Sequence, residues 1–204
     1  MAEFKKYLPA IIITTILLLI AAQLNSLSAK RIDVMPQLTV SRDLIHELVS
    51  FNIIYSIITE LIILAMTAVF VGYIIKRKKY DVLPLVIGSL AVFYLIRALL
   101  LQTTILKSPF PQGYHFGILY YFIPGGGAFP SGHTGYVFLL FFFTSNTETF
   151  LKRALLISAI LVAIFMIISH GHYTIDVIGG FLLAFAIHSA VTIYRRKRMT
   201  PGIV

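Results

Sequence analysis

Long apolar segments alternate with short polar connections along the whole chain. A helix that crosses the hydrocarbon core of a bilayer needs ~20 mostly apolar residues. Four segments reach or approach this length, at residues 7–27, 51–75, 82–104 and 175–194. The pattern therefore predicts four membrane-spanning helices.

A further apolar stretch, residues 134–169, is divided by polar side chains. Four consecutive polar residues at 145–148 interrupt it, and a Lys-Arg pair follows shortly afterwards. Such a cluster is typical of a turn between helices. We therefore predict two shorter helices here, residues 134–146 and 152–169, which brings the number of spans to six.

The connections between the predicted spans leave no room for a second domain. The two longest, residues 25–50 and 106–130, carry most of the prolines and have the length of loops. The predicted fold class is thus an all-α integral membrane protein, with one domain over residues 1–204.

Composition supports a membrane protein and limits the alternatives. Hydrophobic residues make up 58% of the 204 residues and charged residues 12%, and the mean hydropathy is +0.90. These values lie outside the range of ordinary soluble domains. With no cysteine, neither a disulfide framework nor a thiolate metal site is available. The net charge of +9 comes from short basic clusters beside apolar runs, so we expect membrane topology rather than a nucleic-acid partner.

The basic residues also predict an orientation, because loops rich in Lys and Arg tend to stay cytoplasmic. If the amino terminus is inside, the cytoplasmic set is Lys5, Lys6, Lys76, Arg77, Lys78, Lys79, Lys152, Arg153, Arg195, Arg196, Lys197 and Arg198. The outer set is Lys30, Arg31, Arg42 and Lys107. The excess of twelve basic residues in one set of loops over four in the other predicts that both termini are cytoplasmic.

The first span has one alternative interpretation, a cleaved signal peptide. Lys5 and Lys6 precede an apolar run that ends in Ala21-Ala22. The run is long for the apolar core of a signal peptide, and no clear small-x-small cleavage site follows it. We therefore predict a membrane span.

Unusual polar residues gather at the predicted outer ends of the spans. Arg97 lies near the outer end of the third span, residues 131–133 (SGH) open the fourth, and residues 170–176 (HGHYTID) open the sixth. These groups were not part of the loop count that gave the orientation. Their agreement predicts an active site at the outer membrane face.

The chemistry of this face depends on His172, Asp176 and His133. His172 and Asp176 are four residues apart at the start of a helix and so share one helical face. The carboxylate can accept a hydrogen bond from one ring nitrogen and leave the other as a nucleophile. His133 supplies a second imidazole, which can act first as general acid and then as general base.

Other features of this face are weaker signals. Gly132 and the run at residues 125–127 leave backbone N–H groups uncovered that could bind phosphate oxygens. A lone outer histidine would be an ordinary loop residue, and several His with Asp could instead bind zinc. No HExxH pair accompanies them, so we predict no metal. His46, His115 and His188 receive no role, and we expect His188 to be a packed or hydrogen-bonded residue of the sixth span.

Residues 129–134 (FPSGHT) and 172–176 (HYTID) together resemble the paired motifs of the type 2 phosphatidic acid phosphatase superfamily, PAP2. Within it they are most similar to the sphingomyelin synthase branch, as is the segment 97–109. The resemblance covers roughly residues 97–180. It implies a six-helix fold, a phosphohistidine intermediate on His172 and protonation of the leaving group by His133.

The chain also departs from the phosphatase members of that superfamily. Their Lys-x6-Arg-Pro motif is absent, because Tyr114 stands seven residues after Lys107. Where they have a Ser-Arg pair shortly before the nucleophile, this chain has Phe165-Met166, and later Ser169-His170. Charge stabilisation dominates phosphoryl transfer, and a phosphomonoester dianion needs more cations than a diester monoanion. The missing arginines therefore favour a diester. Gly127 replaces the branch's aspartate, which leaves the acceptor open.

Glu60 and Arg97 are ionisable groups within predicted spans, where such groups are costly and usually paired or functional. Both lie ~10–14 Å below the outer ends of their helices at ~1.5 Å per residue. We predict that they approach each other, either directly or through the substrate phosphate.

The sequence as a whole predicts a lipid phosphotransferase or a phospholipase C-like enzyme that acts on a membrane phospholipid and passes its head group to a lipid alcohol or water. The predicted catalytic residues are His172, Asp176 and His133. The predicted substrate-binding residues are Arg97, Ser131, Gly132, Lys107, Glu60, His170 and Tyr173. No cofactor is expected. The enzymatic alternative is a lipid phosphate or polyprenyl pyrophosphate phosphatase, and the non-enzymatic one is a lipid scramblase or transporter.

Overall fold

The computed structural model describes residues 2–33, 35, 38–110 and 128–199, and within these ranges the secondary structure is helical, with no strand. The helices are α1 (Ala2–Asp33), α2 (Leu44–Leu48), α3 (Ile53–Arg77), α4 (Val82–Thr103), α5 (Gly132–Phe143), α6 (Thr149–Ile168) and α7 (Thr174–Met199). The glycine run at 125–127, Tyr114 and His115 lie outside the described residues.

Five of these helices are long and apolar enough to cross a membrane: α1, α3, α4, α6 and α7. The helix α5 has 12 residues, or ~18 Å at 1.5 Å per residue, against a hydrocarbon core of ~30 Å. It ends at Phe143, and the N–H of Thr144 bonds back to the carbonyl of Phe141. Five candidate spans are therefore shown among the described residues, and the sixth crossing stays a prediction.

The helix starts follow from capping side chains. Asn52 accepts a hydrogen bond from the N–H of Ile54 (2.9 Å) and Asp43 accepts one from Ile45 (3.0 Å). These bonds satisfy donors that have no partner inside a helix. The cap at Asp43 begins α2, a helix of only five residues that the apolar pattern did not predict.

The core lies between α3, α4, α5, α6 and α7, and α1 packs along α4. Large side chains of this core, such as Phe93, Leu139 and Leu155, are fully buried. Along the spans, by contrast, many apolar side chains point outward; Leu19 is 65% exposed and Leu99 is 62% exposed. Apolar surface of this kind on a long helix is what a lipid bilayer covers.

The backbones of α5 and α7 approach each other very closely. A Cβ atom added at Gly180 would lie 2.5 Å from the carbonyl oxygen of Ser131 and 3.3 Å from the backbone nitrogen of Gly135. Only residues without a side chain fit at such distances. The N–H of Ser131 also donates to the carbonyl of Asp176 (2.8 Å), so the starts of α5 and α7 are joined directly.

The bundle has one basic end. Glu148, before α6, lies 3.4 Å from the Lys79 ammonium and 3.9 Å from Arg77. Phe4 of α1 packs edge-on against Tyr80 (5.3 Å). The start of α1 and the loops that follow α3 and precede α6 therefore meet at this end.

The end of α7 lies there too, because Arg195 lines the same surface pocket as Lys79. The first residues of α1 and the last residues of α7 therefore both lie at the basic end. The candidate site residues lie at the opposite end, where α4 finishes and α5 and α7 begin.

Which end faces the cytoplasm is tested with single cysteines, since the chain has none of its own. We expect Ser50→Cys, exposed at the site end, to react with a membrane-impermeant maleimide on intact cells of a host that carries the protein in its plasma membrane. Ser145→Cys, exposed at the basic end, should react only after permeabilisation. The reverse pattern would contradict the orientation predicted from the positive loops.

Candidate active site

His172 lies in the tight turn between α6 and α7. The carbonyl of Met166 in α6 accepts hydrogen bonds from the N–H groups of Gly171 (2.9 Å) and His172 (3.1 Å). His170 has a φ of 51°, in the left-handed region that reverses the chain after a helix. Because of this turn, the ring of His172 is buried at the start of α7.

Asp176 is fully buried one turn further along α7. Its Oδ2 atom lies 3.4 Å from Nδ1 of His172 and accepts a hydrogen bond from the N–H of Tyr173 (2.8 Å). Nδ1 itself makes no well-formed hydrogen bond with a described residue. The two groups are therefore within ion-pair range, and a small rotation of either side chain would close the bond that the sequence predicts. Catalytic hydrogen bonds are often long before the substrate binds.

The burial of His172 affects its protonation. Burial lowers the pKa of its imidazole below the ordinary value of 6.5, and the nearby carboxylate of Asp176 opposes this by stabilising the cation. Burial is the larger effect. His172 is consequently neutral at neutral pH, which is the form a nucleophile needs.

His133 lies on the first turn of α5 and faces His172. The centroids of the two rings are 5.7 Å apart and their planes are inclined at 64°. The Nε2 atom of His133 is 2.9 Å from a carboxylate oxygen of Glu60 on α3, and its Nδ1 atom has no hydrogen-bond partner among the described residues. The side chain of His133 is 36% exposed, which makes it the more accessible of the two imidazoles.

Of the two ways in which Glu60 and Arg97 were predicted to approach each other, the direct pair is wrong, and the approach through the substrate phosphate stays a prediction. Glu60 pairs with His133 instead. Arg97 donates from Nε to the carbonyl of Pro130 (2.6 Å) and from Nη1 to the side-chain oxygen of Asn25 (2.6 Å). Arg97 is buried, and these neutral oxygens satisfy a guanidinium that would be costly without partners. Its contacts fasten the turn that precedes α5.

The first motif of the site is built around the start of α5. Ser131 is buried and caps the helix: its Oγ accepts the N–H of Thr134 (3.3 Å) and lies 3.1 Å from Thr134 Oγ1. A Cβ added at Gly132 would come only as near as 3.6 Å to Tyr94 and 3.8 Å to Arg97 Nε, which are ordinary contacts. The hydroxyl of Ser131 is thus used in holding the helix start.

Lys107 lies in the segment after α4. The carbonyl of the preceding residue, Leu106, accepts a hydrogen bond from the N–H of Ala128 (3.3 Å). This bond holds the segment beside the approach to Pro130. Lys107 therefore lies next to the segment that leads into the first motif. Its role in binding phosphate stays a prediction.

The remaining predicted residues, His170 and Tyr173, are covered by residues 41–49, a segment that no sequence pattern marks. The hydroxyl of Tyr173 accepts a hydrogen bond from the N–H of Ser41 (2.9 Å), and His170 lies 2.9 Å from the carbonyl of Val49. His46, which was given no role, lies 3.2 Å from the carbonyl of His172. Neither hydropathy nor helical spacing signals such contacts across more than a hundred residues.

His188 stacks on Phe142 (5.3 Å) and lies 3.4 Å from Thr192 Oγ1, so it is the packed residue that the sequence predicts.

In the part of the chain that the structure describes, no three His, Cys, Asp or Glu side chains lie close enough together to hold a metal ion.

A comparison with protein families adds an independent finding. The family model described as the PAP2 superfamily matches residues 93–200, just over half of the chain. The matched region contains Arg97, His133, His172 and Asp176. Glu60 lies before it. No curated protein matches the chain significantly.

Proposed function

Because the chain belongs to the PAP2 superfamily, whose members are phosphatases and phosphotransferases, we propose that it cleaves the phosphodiester of a membrane phospholipid through His172. The observation that carries the proposal is the pair of facing imidazoles, each beside its own carboxylate: His172 beside Asp176 and His133 beside Glu60. One imidazole is buried and neutral and the other is more exposed, which suits a nucleophile and an acid.

The first chemical step is attack by His172 on phosphorus. Since Nδ1 faces Asp176, the proton sits on Nδ1 and Nε2 carries the lone pair that forms the N–P bond. The P–O bond to the diacylglycerol oxygen breaks, and that oxygen receives a proton from His133. The carboxylate of Asp176 stabilises the positive charge that grows on the His172 ring.

Glu60 supports the part played by His133. The Glu60 carboxylate lies 2.9 Å from Nε2 and orients the ring; in the acid form Nε2 donates to Glu60 and the proton on Nδ1 passes to the leaving oxygen. In the second step His133 takes a proton from the acceptor, and the acceptor oxygen attacks phosphorus and frees His172. A lipid alcohol as acceptor makes the enzyme a transferase of the sphingomyelin synthase kind, whereas water makes it a hydrolase.

The charges around the site favour a diester substrate. Arg97 already has two of its donors on Asn25 and Pro130, and the arginines of the phosphatase motifs are absent from the sequence. A phosphomonoester would bring a second negative charge with fewer cations to balance it. The proposed substrate is therefore a phospholipid with a head group attached, cleaved at the outer face of the membrane.

A panel of lipids tests this function. Purified protein in detergent is incubated with glycerophospholipids, phosphatidic acid and a polyprenyl pyrophosphate, with and without ceramide or diacylglycerol. We expect diacylglycerol from a diester lipid, and a loss of at least ~10³-fold in His172→Ala because the nucleophile is gone. The control His188→Gln, which changes a packed histidine far from the site, should retain wild-type turnover.

Other outcomes of the panel would contradict the proposal. Release of phosphate only from monoesters or pyrophosphates would identify a phosphatase and refute the argument from charge. Absence of any chemical product, together with movement of lipid between leaflets that is unchanged in His172→Ala once both proteins are reconstituted into vesicles, would identify a scramblase.

The pH dependence provides a second test. The reactive form of His172 is neutral, so kcat/KM should rise as pH increases through the pKa of the free enzyme. Burial lowers that pKa, and we expect the acidic limb below pH 6.5. In Asp176→Asn the charge that raises this pKa is lost, so the limb should move to still lower pH while the plateau falls. A limb above pH 6.5, or an upward shift in the variant, would contradict the assignment of His172.

A further inference from the structure

Residues 41–49, which include α2, form hydrogen bonds with the turn that carries His172. Four of the five residues from 170 to 174 bond to it. The contacts are Ser41 N–H to Tyr173 Oη (2.9 Å), Asp43 to Thr174, His46 Nε2 to His172 O (3.2 Å) and Val49 O to His170 Nε2 (2.9 Å). We call residues 41–49 the clamp.

Asp43 ties the clamp to the first residue of α7. Its Oδ2 accepts the N–H of Thr174 (2.7 Å) and its Oδ1 accepts the hydroxyl of Thr174 (3.1 Å). Oδ1 also caps α2 through the N–H of Ile45 (3.0 Å). One carboxylate therefore fixes the start of both helices, which is the most favourable place for an anion.

His46 holds the backbone of His172 itself. A carbonyl oxygen can only accept, so Nε2 of His46 carries the proton and donates to His172 O. The ring of His46 stacks on that of His170 at 4.3 Å with an inclination of 20°. For the same reason, Nε2 of His170 donates to the carbonyl of Val49. Of the two stacked rings, His46 therefore donates from the clamp to the turn, and His170 donates from the turn to the clamp.

The other side of the turn is held by α6, where Met166 O accepts the N–H of His172. The peptide groups on both sides of the His172 side chain are thus bonded, one to α6 and the other to the clamp. Fixing these two peptides limits the rotation and displacement of the imidazole. A nucleophile must be held to within a fraction of an ångström, and a shift of ~1 Å can cost ~10²-fold in rate.

We propose that the clamp positions His172 for attack and that His46 is a positioning residue of the reaction. His46 acts through the carbonyl of His172 and does not touch the phosphate. The proposal rests on the function proposed above for His172. The clamp lies before residue 93, outside the part of the chain that the family model matches.

The test compares His46→Ala, which removes the donor, with His46→Gln, whose amide N–H can donate to the same carbonyl. Glu47→Gln is the matched control, because Glu47 is the next residue and its side chain pairs with the exposed Arg42 and with no residue of the described turn. In His46→Ala we expect kcat to fall ~10–100-fold, with KM and the thermal unfolding midpoint unchanged. His46→Gln should recover most of kcat, and Glu47→Gln should behave like the wild type.

A second readout does not depend on turnover. The rate at which diethyl pyrocarbonate modifies His172, followed by peptide mass spectrometry, should rise in His46→Ala and return toward the wild-type rate in His46→Gln. If no lipid is turned over by the wild type, the proposed function fails, and this rate still decides whether the clamp holds His172.

Two results would overturn the proposal. One is that kcat and the modification rate of His172 are the same in His46→Ala as in the wild type. The other is that His46→Ala and His46→Gln lose kcat equally and in step with a lower unfolding midpoint, because His46 would then only support the fold.

Discussion

The close contact between the starts of α5 and α7 is the constraint on which the site depends. Gly180 leaves room for the carbonyl of Ser131, and the N–H of Ser131 bonds to the carbonyl of Asp176. Ser131 and Asp176 belong to the two histidine motifs, and Gly180 lies one helical turn after the second. A side chain at position 180 would force the helices apart, and the 5.7 Å between the imidazoles would increase with them.

The second constraint is the free-energy cost of burying a charged side chain in a membrane-spanning bundle. An ionisable group there needs a partner, and three of the described groups at this end have one. Glu60 has His133, Arg97 has Asn25 and a carbonyl, and Asp176 has the N–H of Tyr173. The carboxylates also bear on the chemistry, because Asp176 lies beside the buried His172 and Glu60 beside the more exposed His133.

The spans and the motifs could be predicted because they are local properties of the sequence. A run of ~20 apolar residues predicts a helix wherever it occurs, and four residues between His172 and Asp176 place them on one face. The limits of the helices depend on distant contacts and could not be predicted. The helix α1 continues beyond residue 27 to Asp33, where Ile32 is buried against Leu101.

The partners of the charged groups were also beyond prediction. Depth in the membrane suggested that Glu60 would meet Arg97, but depth alone says nothing about which side of a helix faces which neighbour. His46 and Asn25 carry no pattern that distinguishes them from other polar loop or helix residues. Their contacts arise only when segments more than seventy residues apart fold together.

The central claim is that His172 becomes covalently bonded to phosphorus. Rapid acid-free quenching of the purified protein with a diester phospholipid, followed by peptide mass spectrometry, tests it directly. We expect an acid-labile, base-stable adduct on His172 whose mass includes the phosphorylated head group, and no adduct in His172→Ala. Lipid turnover with no adduct at any time, or an adduct on His133 instead, would contradict it.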